Sequence, residues 1–348
     1  MAPGYSFRRG FSYADHEIDD SLSANRQLPG QGLPGLDADV LAETGGIHHY
    51  IHDGAEVDMS KIGFIGVGIM GNPMAGHLQA GGHQLYLVRH RSPLPRELLD
   101  SGAVACDSAE AVAEQADIVI TMVPDTPHVD QVLFGENGVA AGLSPGKLLI
   151  DMSSISPIET RAFASRINQL GCDYLDAPVS GGEVGARAAA LTIMVGGPES
   201  AFEKAKPLFE LMGKNITLVG ANGAGQTCKV ANQIIVALTI EAVGEALLFA
   251  SRAGVDPAAV RQALMGGFAG SKILEVHGER MIKRTFDPGF RIALHQKDLN
   301  LALTGARELG LSLPNTATTQ ELFNACAGDL DHSALVKALE ALAGHQIA

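Results

Sequence analysis

The chain has 348 residues, enough for two domains, and 46% of them are hydrophobic, which excludes an intrinsically disordered chain. A formal charge of −14 excludes nucleic acid as a partner, because phosphate-backbone binding needs a basic footprint. Cys106, Cys172, Cys228 and Cys326 lie far apart with no C-x-x-C pair, which argues against a zinc knuckle or disulfide framework and fits a reducing, cytoplasmic setting.

Residues 1–58 are rich in Gly, Pro, Ser and Asp and hold no sustained hydrophobic period. Three arginines against ten acids give this stretch a net charge of −7, half of the total. The reading is a disordered N-terminal extension, with Met59 as a natural start because a strand follows it at once. No signal-peptide core is present near Arg8 and Arg9. His48, His49 and His52 cluster in this extension and are not read as a functional metal site, and no metal site is expected elsewhere, since no H-x-x-x-H spacing outside this extension and no paired-cysteine motif occurs.

From Met59 onward short apolar runs alternate with helical segments. The runs are Ile62–Val67, Leu85–Val88, Ile118–Val123, Leu148–Asp151, Tyr174–Ala177 and Ile193–Val195. Such alternation predicts crossover units and an α/β Rossmann fold with a doubly wound, mostly parallel sheet over residues 59–220. Strand signals stop near Val219, and helical periodicity then covers Gln226–Ala253, Pro257–Met265, Leu294–Leu309 and Thr316–Ala325. An all-α C-terminal domain is therefore expected over 221–348. Val230 to Ala250 is the nearest approach to a membrane span, but Asn232, Gln233, Glu241 and Glu245 interrupt it, so it reads as a long buried helix and not as a membrane segment.

The first strand runs straight into Gly66-Val67-Gly68-Ile69-Met70-Gly71 and then a helix. Glycines in this G-x-G-x-x-G spacing permit a tight turn, let a pyrophosphate reach the backbone and allow the helix to pack close, while the helix N-terminus attracts the phosphates. Residues 66–71 are the expected dinucleotide site. The second strand runs into Arg89-His90-Arg91-Ser92, without the acid that suits an unphosphorylated ribose. Arg89 thus favours NADPH over NADH, unless it is an ordinary solvated loop residue. Met122, Val123 and Pro124 follow one strand and Ser153-Ser154 another, so both loops should face the nicotinamide side. Ser154 is a candidate cofactor contact. Alternatively, Ser153 or Ser154 caps the helix after Pro157.

Carbonyl reduction needs a proton donor as well as hydride. Lys229, Asn232 and Gln233 stand at i, i+3 and i+4 on one face of an otherwise apolar helix, where such groups are expensive to bury without purpose. Lys229 is the candidate acid, and its pKa would have to fall from about 10.4 for the same group to serve oxidation. The alternative is a structural lysine at a helix start. After Leu175-Asp176-Ala177-Pro178-Val179, the glycines of Ser180-Gly181-Gly182 can free backbone N–H groups for a carboxylate, or can form an ordinary turn. Lys297 could approach the cofactor and Asp298 could orient the amine; alone, this pair would read as a solvated face.

Together these motifs resemble the 3-hydroxyisobutyrate (β-hydroxyacid) dehydrogenase family from Met59 to the C-terminus. The likeness is carried by the glycine turn continued through Asn72-Pro73-Met74, the Asp176–Gly182 loop, Gly225-x-x-x-Lys229 and Lys297-Asp298-Leu299. It implies that Lys229 is the catalytic acid, that Ser180, Gly181 and Gly182 hold the substrate carboxylate near Asn232 and Gln233, and that Lys297 touches an NADPH or NADH cofactor. It also implies a homodimer or homotetramer. Val123-Pro124-Asp125-Thr126-Pro127, Asp151 to Pro157, Gln226 to Gln233 and Asp331-His332-Ser333-Ala334-Leu335 look like the branch that reduces tartronate semialdehyde to D-glycerate in glyoxylate or glucarate utilisation. Gln233 stands where many relatives carry Asn and is typical of that branch, whereas Arg89 replaces an Asp found in some of its members. The competing readings are a dehydrogenase for 3-hydroxyisobutyrate or 4-hydroxybutyrate and, from a different class, a non-catalytic dinucleotide-binding module.

Overall fold

A computed structural model describes residues 59–90 and 93–347. The expectations placed on residues 1–58, His48, His49 and His52 included, lie outside the described residues, as do Arg91 and Ser92.

Among the described residues nine strands form one sheet: β1 (Lys61–Ile65), β2 (Gln84–Val88), β3 (Val104–Cys106), β4 (Ile118–Thr121), β5 (Leu148–Asp151), β6 (Asp173–Asp176), β7 (Val179–Ser180), β8 (Leu191–Gly196) and β9 (Gly213–Gly220). Their order begins β3-β2-β1-β4-β5-β6, all parallel, and β8 then pairs antiparallel with β6 and β7 and parallel with β9. The chain reverses direction across the sheet between β1 and β4, which places a crevice at their carboxyl ends. Between the strands lie α1 (Gly71–Ala80), α2 (Arg96–Asp100), α3 (Ala109–Gln115), α4 (Thr126–Phe134), α5 (Val139–Gly142), α6 (Pro157–Asn168), α7 (Gly182–Arg187) and α8 (Glu199–Met212).

Both sheet faces are covered, which explains why the central strands read as unbroken apolar runs. Ile118 and Ile120 of β4 join one core with Met74 and Phe209, while Val119 joins the opposite core with Val112 and Phe163. Gly63 makes this packing possible. A Cβ there would lie 2.4 Å from a methyl of Val112, so only glycine lets α3 sit this close to β1.

Strands β3, β7 and β9 escape the hydrophobic pattern because two are very short and β9 is mostly solvent-accessible along its length.

Beyond Gly220 every regular element is helical: α9 (Ala224–Arg252), α10 (Pro257–Leu264), α11 (Lys272–Lys283), α12 (Ile292–Glu308), α13 (Pro314–Asn324), a 3-10 turn (His332–Leu335) and α14 (Val336–Ala343). The helices α11 and α14 were not expected from the sequence. Ser271 starts α11 by accepting a hydrogen bond from the Leu274 amide. The third core gathers Ile240 and Leu247 of α9, Met281 of α11, Leu299 of α12 and Phe323 of α13. The expectation that α9 is buried as a whole needs correction. One stripe through Lys229, Gln233, Ile240 and Leu247 is buried, but Ile235 is 65% and Phe249 77% exposed on the other side. By length and composition α9 could cross a membrane, yet Gln226, Lys229 and Gln233 lie on its packed stripe and Glu245 is exposed on the other side.

Three adjacent strands end on buried polar groups, with Thr121 opposite Asp151 and Asp151 opposite Asp176. Asp151 accepts from the Thr121 hydroxyl at 2.8 Å, the Ser153 amide at 3.1 Å and the Tyr174 hydroxyl at 3.4 Å. Burial outweighs these bonds and, with Asp176 nearby, pushes its pKa up to about 6. The folded state therefore binds this proton more tightly than the unfolded chain. The penalty for ionised Asp151 is absent below the ordinary carboxylate pKa, grows as pH rises, and is complete above about 6. Asp151→Asn keeps the acceptor oxygen and can donate to Tyr174. Chemical denaturation should find the variant more stable than wild type at pH 8, on the order of 1–3 kcal/mol, with the gap closing toward pH 4. A gap independent of pH would contradict the assignment.

Candidate active site

The Gly66–Gly71 turn is built as a phosphate cradle requires. Gly66 has φ +104°, and a Cβ on it would lie 2.2 Å from the Met122 carbonyl oxygen. A Cβ on Gly71 would lie 2.0 Å from the Gly66 carbonyl oxygen, so the start of α1 presses directly on the turn. Gly68 differs: a Cβ there meets no protein atom within 4 Å. The lack of a side chain leaves the turn open to a ligand that must touch backbone. Val67, Ile69 and Met70 fill the intervening positions, with Ile69 60% exposed. The first turn of α1 carries no acid and no side-chain cap, so its positive end is unopposed. These features fit a dinucleotide pyrophosphate.

The loops after β4 and β5 are tied together. The Val123 amide donates to the Ser153 hydroxyl at 3.0 Å, which fixes Met122-Val123-Pro124 beside Ser153-Ser154. Neither Ser153 nor Ser154 caps α6. That role falls to Ser156, which accepts from the amides of Ile158 and Glu159 and donates to the Glu159 carboxylate, whereas Ser153 is buried against the Val123 amide and Ser154 stays partly exposed. Arg89 directly follows β2 and is exposed.

Helix α9 is bolted to these strand ends by two residues whose roles the sequence did not disclose. The buried Asp176 carboxylate at the end of β6 accepts from the amides of Gly223 at 2.7 Å and Gln226 at 2.9 Å. It thus neutralises the positive end of a 29-residue helix. The Gln226 side chain accepts from the Ile155 amide at 3.0 Å and donates to the Ser153 carbonyl at 2.7 Å. A carboxylate closing an apolar strand and an amide opening an apolar helix were the available signals.

One turn further on, Lys229 is 6% exposed and its ammonium donates to Gln233 Oε1 at 3.2 Å. Asn232 Nδ2 donates to the same oxygen at 2.8 Å. On the other side, Gln233 Nε2 donates to Asp298 Oδ2 at 2.5 Å. Because a carboxylate only accepts, Asp298 dictates which way the Gln233 amide points and so turns its oxygen toward Lys229. Asp298 therefore orients the amine through an intermediary. Lys297 Nζ lies 3.1 Å from Asp298 Oδ1 and donates to the Ser154 carbonyl, linking α12 to the loop after β5. Ser154, Ile155, Gln226, Lys229, Gln233 and Asp298 border one tight cleft, too narrow to hold a water molecule. Burial lowers the Lys229 pKa to about 8; the charge of Asp298 opposes this shift and that of Lys297 adds to it.

Ser180 closes β7, and Gly181 and Gly182 follow with φ of +136° and +60°. These values belong to glycine and turn the backbone where Ser180 meets α7. A Cβ on Gly182 would lie 3.5 Å from the Gly289 carbonyl oxygen, so this loop rests against the segment that leads into α12.

The first region matches the model of the NAD binding domain of 6-phosphogluconate dehydrogenase over residues 61–220, and the second the NAD-binding model of NADP-dependent 3-hydroxyisobutyrate dehydrogenase over residues 223–339. The chain is 68% identical over 292 residues to the 2-hydroxy-3-oxopropionate reductase of Escherichia coli K12, covering 83% of this chain and 100% of that protein. It is 35% identical over 285 residues to a Pseudomonas aeruginosa 3-hydroxyisobutyrate dehydrogenase, covering 80% of this chain and 96% of the relative. Among solved structures, Mycobacterium tuberculosis 3-hydroxyisobutyrate dehydrogenase with L-serine superposes with a TM-score of 0.74 at 33% identity, covering 81% of this chain and 99% of that one. With the glycine turn, the buried lysine and these relatives in agreement, the chain belongs to the 3-hydroxyisobutyrate dehydrogenase family of nicotinamide-dependent oxidoreductases.

Proposed function

We propose that the chain reduces tartronate semialdehyde (2-hydroxy-3-oxopropanoate) to D-glycerate. The observation that carries this reading is the buried Lys229 ammonium, lowered to a pKa of about 8 and hydrogen-bonded to Gln233 along a tight cleft that Ser154 also borders. Identity of 68% to a 2-hydroxy-3-oxopropionate reductase, over that protein's whole length, supports the substrate.

Bound NADPH or NADH supplies hydride to the aldehyde carbon. Gly66–Gly71 holds its pyrophosphate, Met122, Val123, Pro124 and Ser154 face its nicotinamide end, and Lys297 braces the same loop. Arg89 favours the 2′-phosphate of NADPH by charge and planar geometry. The chain's own chemical contribution is the proton. Lys229 donates it to the carbonyl oxygen as negative charge develops there, and the neutral amine then regains a proton from solvent. Ser180, Gly181 and Gly182 receive the carboxylate, with Asn232 and Gln233 serving the polar middle of the substrate. An aldehyde separated from its carboxylate by one hydroxylated carbon suits two such anchors. The exposed stripe of α9 through Ala231, Ile235, Ala242 and Phe249 packs against a second copy in a homodimer or homotetramer of the cytoplasm.

Lys229→Ala should lower kcat by roughly 10²–10⁴-fold while leaving the Kd for NADPH unchanged, as measured by fluorescence titration. Turnover near the wild-type level would refute the assignment. The protonated amine is present below its pKa, so kcat/KM for reduction should fall as pH rises through about 8, and that for oxidation of D-glycerate should rise over the same range. Ser180→Ala should raise KM for the semialdehyde about 10-fold with little change in kcat, reflecting a lost ground-state contact. A substrate panel completes the test: methylmalonate or succinate semialdehyde turned over faster than tartronate semialdehyde would favour the 3-hydroxyisobutyrate or 4-hydroxybutyrate reading.

A further inference from the structure

Behind the lysine, three histidines from separate elements form a row that the proposed chemistry does not use. His295 of α12 is fully buried, with Nε2 3.2 Å from the main-chain carbonyl of Gln233. Its Nδ1 lies 3.0 Å from Nδ1 of His332, in the 3-10 turn. His332 Nε2 in turn lies 3.1 Å from Nε2 of His277, on α11. At the far end, His277 Nδ1 is 3.6 Å from Asp331 Oδ1.

The row runs from a carbonyl to a carboxylate, both of which only accept. Four links would need four protons, and three neutral imidazoles carry three. Because the Gln233 carbonyl accepts, His295 must present Nε2–H to it, leaving Nδ1 as a lone pair. His332 must therefore present Nδ1–H to His295, and His277 must present Nε2–H to His332. The deficit falls at His277 Nδ1, the one link longer than a hydrogen bond, where the buried nitrogen has no hydrogen-bond partner. Every N–H in the row thus points toward α9. Burial drives the pKa of His295 down to about 4 and that of His332 well below its ordinary value, which keeps both rings neutral as this polarity requires.

The charged groups around the row are Lys229 and Asp298 at the His295 end and Arg280 and Asp331 at the other. His277, Asp331 and His332 offer ligand atoms within 4.8 Å of one another, as a metal site would. Yet the Asp331 carboxylate is already saturated by Arg280, the amides of Gly289, Phe290 and Ser333, and the Ser333 hydroxyl. With the rings hydrogen-bonded to one another, the cluster is organised for protons.

We infer that His295, His332 and His277 are positioning residues: the row delivers one N–H to the Gln233 carbonyl and so fixes the turn of α9 that carries Lys229 and the Gln233 amide. The catalytic consequence rests on the function proposed above, whereas the polarity of the row does not. His277, whose side chain is only 14% exposed but lies outside the cleft, is the place to test both. In His277→Gln the amide can donate where Nε2–H stood, and the polarity survives. In His277→Leu no donor remains to hold the lone pair of His332 Nε2, so the tautomers of His332 and His295 are no longer fixed.

The experiment combines steady-state reduction of tartronate semialdehyde at saturating NADPH with 15N spectra of histidine-labelled protein. His277→Gln should keep kcat within about 2-fold of wild type, while His277→Leu should lose about 10-fold in kcat with KM nearly unchanged. The spectra should show His295 protonated on Nε2 in wild type and His277→Gln. Equal kcat in the two variants, or His295 protonated on Nδ1 in wild type, would overturn the inference. Wild-type protein that fails to reduce tartronate semialdehyde but shows Nε2–H on His295 would sink the substrate reading and leave the polarity of the row upheld.

Discussion

A buried ammonium must be compensated where it lies, and much of the helical region is arranged around that demand at Lys229. Removing a lysine from water favours its neutral form, and here burial wins over the attraction of Asp298, bringing the pKa to about 8. A direct ion pair with Asp298 would oppose that fall more strongly. The inserted Gln233 amide moderates the effect by passing orientation from Asp298 to Lys229 without passing the full charge. The amine is consequently placed where a modest change in pH changes its state, as a group that gives a proton in one direction and takes it in the other requires.

This placement has meaning only if α9 is fixed to the cofactor crevice. Asp176 and Gln226 supply the fixing, each joining the first turn of α9 to the end of a parallel strand. Lys297 adds a second bridge from α12 to the Ser154 carbonyl. The proton donor is thereby referenced to the same strand ends that hold Val123 and Ser153. A helix 29 residues long serves this purpose because one end can be anchored in the sheet region while its remainder builds the core with Met281, Leu299 and Phe323.

What the sequence disclosed was what local spacing controls. Gly66, Gly68 and Gly71 were legible because turn, phosphate approach and helix packing each demand glycine at a fixed offset. Lys229 and Gln233 were legible as polar residues four apart on an apolar helix. By contrast, the partnership of Gln233 with Asp298 spans 65 residues, and the row of His277, His295 and His332 joins three elements. No periodicity marks such encounters. Asp176 was visible as part of a motif, but a carboxylate at a strand end looks alike in sequence whether it meets water or the amides of a distant helix. The exposed side of α9 was misjudged for a related reason: composition reports how apolar a helix is, and its average hides which stripe finds a neighbour.

The length of Gln233 is what lets one residue serve α9 and α12 together. Its amide must reach an acceptor on α12 and a donor one helical turn back on its own helix, while its main-chain carbonyl accepts from His295. An asparagine in its place would be shorter by one methylene and could keep the lysine or the carboxylate within hydrogen-bonding distance, but would struggle to keep both. With glutamine, side chain and backbone of a single residue are held from two directions by α12, through Asp298 and His295. The orientation of the proton donor thus depends on the register between two helices, and a small rotation of α12 would be felt at Lys229 through geometry as well as through charge.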